Sequence, residues 1–205
     1  MKLQIRELEK RDVKKAIQFA IQGMHFDWYF DNSFLLRAYG RYFWYLEMTH
    51  ATQMIAAYAD NKFAGVLLAA IKGEQKRCRS FGKTIYVKLF RLLQKCFAKG
   101  SAGAYEKANE EMFAQYCKHH VPDGEILFLA ADPDSAVKGI GSFLLQEFER
   151  REAGKKVYLY TDNACTYQFY EHRGFERAGE KDILLDLGKK KVALQCFLYS
   201  KKIGK

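Results

Sequence analysis

LAADPDSAVKGIGSFLLQEF, residues 129–148, is the stretch that decides how this chain folds. A strand runs into a loop, and Gly139 and Gly141 stand where a helix begins that extends to about Glu152. Glycines at such a junction let the backbone approach a ligand closely, and the free N–H groups of the first helical turn point at it. The helix dipole adds positive potential, so the junction suits phosphate. Ser142 adds a hydroxyl and Lys138 a charge. The segment is not a P-loop, because GxxxxGK[ST] is absent. Nor is it a dinucleotide fingerprint, which the first strand–turn–helix of the chain lacks. Taken alone, a glycine-rich turn before a helix is weak grounds for a function.

Outward from this stretch the pattern is mixed α/β. Residues 125–131 (EILFLAA) are a strand, as are 156–161 (KVYLYT), and residues 163–173 are a short helix that Gly174 ends. A hairpin of 175–187 and 191–200 across Gly188–Lys190 closes the chain. Upstream, residues 74–124 lack strand character and hold helical patterns at about 83–98 and 103–120, separated at Gly100–Gly103. Residues 53–60 and 62–71 form a hairpin around Asp60–Asn61, and its second strand, apolar on both faces, belongs in the middle of a sheet. Residues 26–46 are dense in aromatics and read as two helical pieces, broken near Asp31–Ser33, where Asn32 or Ser33 can cap the second. Residues 2–6 are a strand, and Asp12 caps the helix that follows.

Composition narrows the class. The 205 residues include 49% hydrophobic ones, enough for a core and against disorder. Five scattered cysteines without a CxxC spacing argue against a disulfide framework or a zinc knuckle. No run approaches the roughly 18 apolar residues of a membrane span, and the charged start is not a secretory signal, so a cytoplasmic location is expected. The net charge of +10 favours anionic partners. Much of it lies between Lys76 and Lys99, which hold eight basic residues and no acidic one. That stretch reads first as a solvated helical face. Phosphate attraction, a membrane surface and nucleic acid are the sharper alternatives.

A second motif lies in TDNACTYQFYEHRGFE, residues 161–176. Together the two stretches resemble the GNAT superfamily of N-acetyltransferases. The cofactor-loop motif of that family, Q/R-x-x-G-x-G/A, falls on Ala136-Val137-Lys138-Gly139-Ile140-Gly141, and LAADP looks like its L-x-V-x-P. Its later N…Y-x-x-x-G-F is matched by Asn163, Tyr170, Gly174 and Phe175. One position departs, since Ala136 stands where the family has Gln or Arg; backbone donors of 137–142 are still expected to hold the cofactor loop. The resemblance implies one GNAT-type α/β domain over 1–205, a mixed and mostly antiparallel twisted sheet flanked by helices. A helical insertion at about 74–124 is left unexplained by it.

The resemblance also implies chemistry. Acetyl-CoA would lie in a V opened between strands 125–131 and 156–161, along the backbone of Leu129, Ala130 and Ala131. Val137, Lys138, Gly139, Ile140, Gly141 and Ser142 would cradle its pyrophosphate. Tyr170 would contact the cofactor and act as general acid, or else be only a packed aromatic. Glu125 would be the general base through water, or else a solvated strand-end carboxylate; Asp162 is a weaker candidate. Asn163 would touch cofactor or substrate, or cap the next helix. The acyl group passes by direct attack of a primary amine of a small molecule or peptide. That agrees with the absence of any activated Ser or Cys in the sequence. Nucleic acid is not expected as a partner, while a homodimer is common in such proteins.

Other features read as structural. Trp28, Tyr29 and Tyr42 are candidate walls of an acceptor pocket, with core packing as the ordinary role for most of the aromatic run. His119 and His120 point about 100° apart on a helix and lack partner ligands, so no metal site is expected; His172 and Cys165 carry no assigned role. The alternatives to an acetyltransferase are a non-catalytic CoA-binding module of the same fold and a polyanion or membrane-surface binder acting through 76–99.

Overall fold

The computed structural model describes residues 2–78, 80–97, 101–187 and 191–204. The strands are β1 (Leu3–Arg6), β2 (Gln53–Ala59), β3 (Lys62–Ile71), β4 (Gly124–Ala131), β5 (Lys156–Asp162), β6 (Glu176–Asp186) and β7 (Lys191–Lys202). They form one sheet in the order β1-β2-β3-β4-β5-β7-β6. Every neighbouring pair is antiparallel except β4 and β5. The β2–β3 turn has both Asp60 and Asn61 at positive φ (44° and 67°), the geometry a two-residue hairpin turn demands. β3 lies between β2 and β4 and is buried from Phe63 to Ala69, as its two-sided apolar pattern requires.

Helices cover both faces. On one, α5 (Ile140–Arg151) sets Leu144, Leu145 and Phe148 into a core with Ile55, Leu67, Leu159 and Tyr199. On the other, α1 (Val13–Gly23) and α2 (Ser33–His50) pack Phe19, Trp44 and Met48 against Ala56, Val66, Leu68 and Phe128. The region between β3 and β4 holds α3 (Phe81–Phe97), seated on α2, and α4 (Ser101–Tyr116). Ala108, Met112 and Tyr116 of α4 close over Cys196 and Leu198 of β7.

Several local expectations are corrected. Asp12 precedes α1 but does not cap it with its side chain; its carboxylate accepts from the Tyr58 hydroxyl at 2.8 Å instead. Asn32 alone caps α2, its Oδ1 accepting from the amides of Phe34 and Leu35. The helix expected over 163–173 shrinks to α6 (Gln168–Glu171), because Asp162 ties residues 164 and 165 into a turn. Of the aromatic run, Phe26, Tyr42 and Trp44 are core, while Phe34 is exposed. The second hairpin forms, and its connection at 188–190 lies outside the described residues.

One feature of the sheet positions everything that follows. β4 and β5 pair only at Gly124–Val157 and Glu125–Tyr158, then separate. Against β3, Leu68 faces Phe128 and Ala69 faces Ile126, so Leu127 is an extra, bulged residue in β4. A bulge bends and twists its strand, which turns the rest of β4 away from β5. Asp123 pins the point of divergence: its N–H donates to Lys156 O at 2.6 Å and its Oδ2 accepts from Lys156 N at 2.7 Å. A Cβ on Gly124 would stand 2.8 Å from the carbonyl oxygen of Ala70, a backbone atom that cannot swing aside. Gly124→Ala is therefore expected to cost about 1–3 kcal/mol, read as a fall of several degrees in the thermal unfolding midpoint.

Candidate active site

The divergence of β4 from β5 leaves a cleft of about 720 Å³. One wall is Ile126–Ala131 of β4, and the other is Tyr160 and Thr161 of β5 with Phe169, Tyr170 and Arg173 around α6. The loop from Asp132 to Ser142 closes one end; the C-terminal turn of α1 and Tyr105 of α4 stand at the other. The backbone of β4 is aimed into this space. Asp132 N donates to Ala64 O, so by strand alternation the N–H groups of Leu129 and Ala131 point away from β3 and into the opening. Ala130 directs its N–H to β3 and contributes a half-buried side chain.

The loop is built as a cradle. Asp132 accepts from Asp134 N at 3.0 Å and pairs with Lys15 at 2.5 Å, which fixes its first half. Gly139 takes a left-handed φ of 78° before α5, a conformation a side chain at this position would strain. Among the described residues, the N–H groups of Gly139, Ile140, Gly141 and Ser142 find no acceptor within the chain. Val137 differs, because its N–H donates to Ser135 Oγ at 3.1 Å and its side chain packs on the core. The expected run of donors from 137 to 142 thus loses its first member. Lys138 lines the cleft, and Ala136 is exposed without a polar side-chain atom.

Arg173 was not singled out by the sequence. It reaches from the second motif to hydrogen-bond Ser142 Oγ, and its guanidinium lies 5.4 Å from the centre of the Phe169 ring. Phe169 in turn would touch a Cβ on Gly141 at 3.5 Å. The two motifs therefore meet, and a second cation stands at the cradle. Its only signal in the sequence is a basic residue directly before Gly174.

Tyr170 lines the cleft and packs on Phe169, Phe175 and Tyr199. Its hydroxyl makes no hydrogen bond to another described residue, and burial raises its pKa above the usual phenol range. Cys165 also lines the cleft; burial and the neighbouring Asp162 push its thiol up to about 12, so it stays protonated near neutrality. Asn163 is not brought to the cleft. It is exposed, and its Oδ1 accepts from Gln195 N at 3.1 Å on the far side of β5. Asp162 is fully engaged, accepting from the amides of Ala164 and Cys165 and from the Tyr105 hydroxyl at 3.0 Å.

Glu125 sits where β4 and β5 part. Its Oε2 accepts from the Tyr158 hydroxyl at 2.8 Å, and burial raises its pKa against the lowering effect of that bond. Glu47, on α2 one turn after Phe43, shares this neighbourhood. Burial and then the charge of Glu125 raise its pKa to about 8, with Arg91 opposing. The cleft is thus cationic at the loop, while Glu125 and Glu47 are not among the residues that line it, although Ile126 beside Glu125 is. Glu47 left no signal in the sequence because it lies far along the chain from β4. Trp28, Tyr29 and Tyr42 do not line the cleft: Trp28 stacks on His25, Tyr42 is buried, and its hydroxyl accepts from Arg91 Nε at 3.3 Å. His120 packs at a tilt against Tyr116, and among the described residues no group of His, Cys, Asp and Glu could hold a metal.

Residues 20–175 match the Acetyltransferase (GNAT) family, and the chain belongs to it. Solved structures share the fold over nearly the whole chain. An N-acetyltransferase, PaiA, from Thermoplasma acidophilum in complex with coenzyme A is 18% identical with a TM-score of 0.53, over 98% of this chain and 99% of that one. A protein from Corynebacterium glutamicum described as histone acetyltransferase HPA2 and related acetyltransferase is 17% identical, with a TM-score of 0.62 over 100% and 98%. The ribosomal-protein-S18-alanine N-acetyltransferase of Escherichia coli is 14% identical, with a TM-score of 0.53 over 100% and 96%. No curated protein sequence matches the chain.

The Glu47 environment has a measurable consequence. A carboxyl whose pKa rises on folding holds its proton longer in the folded state, so stability falls as pH climbs from the usual carboxylate range through about 8. Glu47→Gln removes that loss. Urea unfolding at pH 5 and pH 9 is expected to show the variant gaining more than about 1 kcal/mol relative to wild type at the higher pH. An identical pH dependence in both proteins would contradict the assignment.

Proposed function

We propose that the protein transfers the acetyl group of acetyl-CoA to a primary amine of a small molecule or peptide by direct attack. The observation that carries this reading is the opening of β4 from β5, with the free amides of α5 at its mouth. Bound acetyl-CoA supplies a thioester whose carbonyl carbon the amine can attack. The residues present fit it. The amides of Gly139, Ile140, Gly141 and Ser142 hold the pyrophosphate, with Lys138 and Arg173 neutralising its charge. The outward N–H groups of Leu129 and Ala131 pair with the amides of the pantetheine arm as a neighbouring strand would.

Glu125 takes the proton of the incoming ammonium through water. Its raised pKa makes it a stronger base than an exposed carboxylate, and Tyr158 holds it in place. Tyr170 hydrogen-bonds the leaving sulfur and gives it a proton as the carbon–sulfur bond breaks; its free hydroxyl suits that role. No residue need bond covalently to the acyl group, and the protonated Cys165 offers no thiolate to do so. We take residues 1–205 as a single domain with α3 and α4 as its helical insertion.

Thermal unfolding tests the cofactor. At 100 times its dissociation constant a ligand stabilises the native state by about 2.7 kcal/mol, and each kcal/mol moves the midpoint by roughly 2–4 °C at this size. Acetyl-CoA is therefore expected to raise the midpoint by several degrees, and no shift at millimolar concentration would reject the cradle. Turnover tests the acid. Tyr170→Phe is expected to lower kcat by about a hundredfold while leaving the affinity for coenzyme A nearly unchanged. Cofactor binding without turnover on any amine would instead mark a non-catalytic CoA-binding module.

A further inference from the structure

α3 turns an apolar stripe outward. On its inner side Val87 is buried, Phe90 stacks on Tyr42 at 4.5 Å between ring centres, and Tyr86 donates to Ala38 O. On the opposite side Phe81, Ile85, Leu89 and Leu92 are 79%, 47%, 56% and 59% exposed. Their spacing of four, four and three residues places them in one line along the helix. Lys83 lies near Tyr45 and Phe90 near Tyr39, so α3 runs antiparallel to α2 and its C-terminal half approaches the start of that helix. Phe34 and Leu35 at that end are exposed as well.

The charge along α3 itself is of one sign. From residue 75 to residue 105 the chain has no Asp or Glu, and eight Lys or Arg lie between Lys76 and Lys99. Lys88 is exposed, three residues after Ile85 and four before Leu92, and therefore borders the stripe. A solvated face, the ordinary reading of this segment, would not show four large apolar side chains. A second copy meeting this face would bring its own cations against these, and nucleic acid offers nothing for the apolar line. An amphipathic helix with apolar residues outward and the cation of Lys88 at their border matches the interface of a negatively charged bilayer.

We propose that α3 seats the protein on an anionic lipid surface. Phe81, Ile85, Leu89 and Leu92 enter the headgroup boundary, and Lys88 meets the lipid phosphates. Among the described residues no helix is long and apolar enough to cross a membrane, so the contact is peripheral. It is independent of acyl transfer, because none of these residues lines the cleft.

Co-sedimentation with vesicles tests it, comparing phosphatidylcholine alone with a mixture one-third phosphatidylserine. Partition onto the anionic vesicles is expected to exceed that onto neutral ones by about tenfold and to fall with salt. Leu89→Glu and Phe81→Ser should each remove about tenfold of it, and Lys88→Glu several-fold. The midpoint shift with acetyl-CoA, unchanged in these variants, reports that they are folded and keeps this result separate from the acyl-transfer reading. Equal or absent partition onto the two vesicle types would overturn the proposal, as would an unchanged partition of both apolar-face variants. A dimer that Leu89→Glu dissociates, without any change in partition, would assign the face to a second copy.

Discussion

The parting of β4 from β5 is the constraint on which the molecule is built. Two parallel strands of one sheet ordinarily keep their ladder along its length, and here the ladder stops after two residue pairs. The cause is the register of β4 against β3. Leu127 adds one residue to β4 relative to β3, and the strand bends where the extra residue sits. Asp123 holds the two strands together just before the bend, and Gly124 admits the close approach of β3 there. Backbone donors that a regular sheet would have satisfied internally are thereby delivered to a cleft. The amides at the start of α5 stand at the end of that cleft because β4 leads directly into their loop.

Charge is distributed around the parting of β4 from β5 in a way that net charge does not reveal. The protein carries +10 overall, yet the region where the strands diverge gathers Glu125 and Glu47 in a half-buried setting. Burial raises the pKa of both, and the charge of Glu125 makes Glu47 harder still to ionise. The opposite end collects Lys138 and Arg173, cations suited to phosphates. Ala136 brings no side-chain donor, and a guanidinium arrives at the same cradle from α6.

Much of this was legible in order along the chain. The strand–loop–helix at 125–152, the two-residue turn at Asp60–Asn61 and the central place of β3 follow from local patterns, and the structure has them where those patterns point. The two motifs placed the cradle and Tyr170 at the cleft. Elsewhere local signals misled. Asp12 and Asn163 have the side chains of helix caps, but Tyr58 and Gln195, distant in sequence, offered them other partners. Val137 lost its free amide to a hydroxyl two residues away.

The sequence by itself determined the class of fold, the position of the phosphate-like cradle and the basic character of residues 76–99, because these rest on short-range periodicity, on glycine at a helix start and on counted charge. Only the tertiary structure decided the bulge at Leu127, the meeting of Glu47 with Glu125, the reach of Arg173 to Ser142, and which face of α3 is turned outward. Each of those depends on which residues of distant segments are neighbours. Strand register and helix packing set such neighbours, and they respond to the total burial of the core and not to any one stretch of chain.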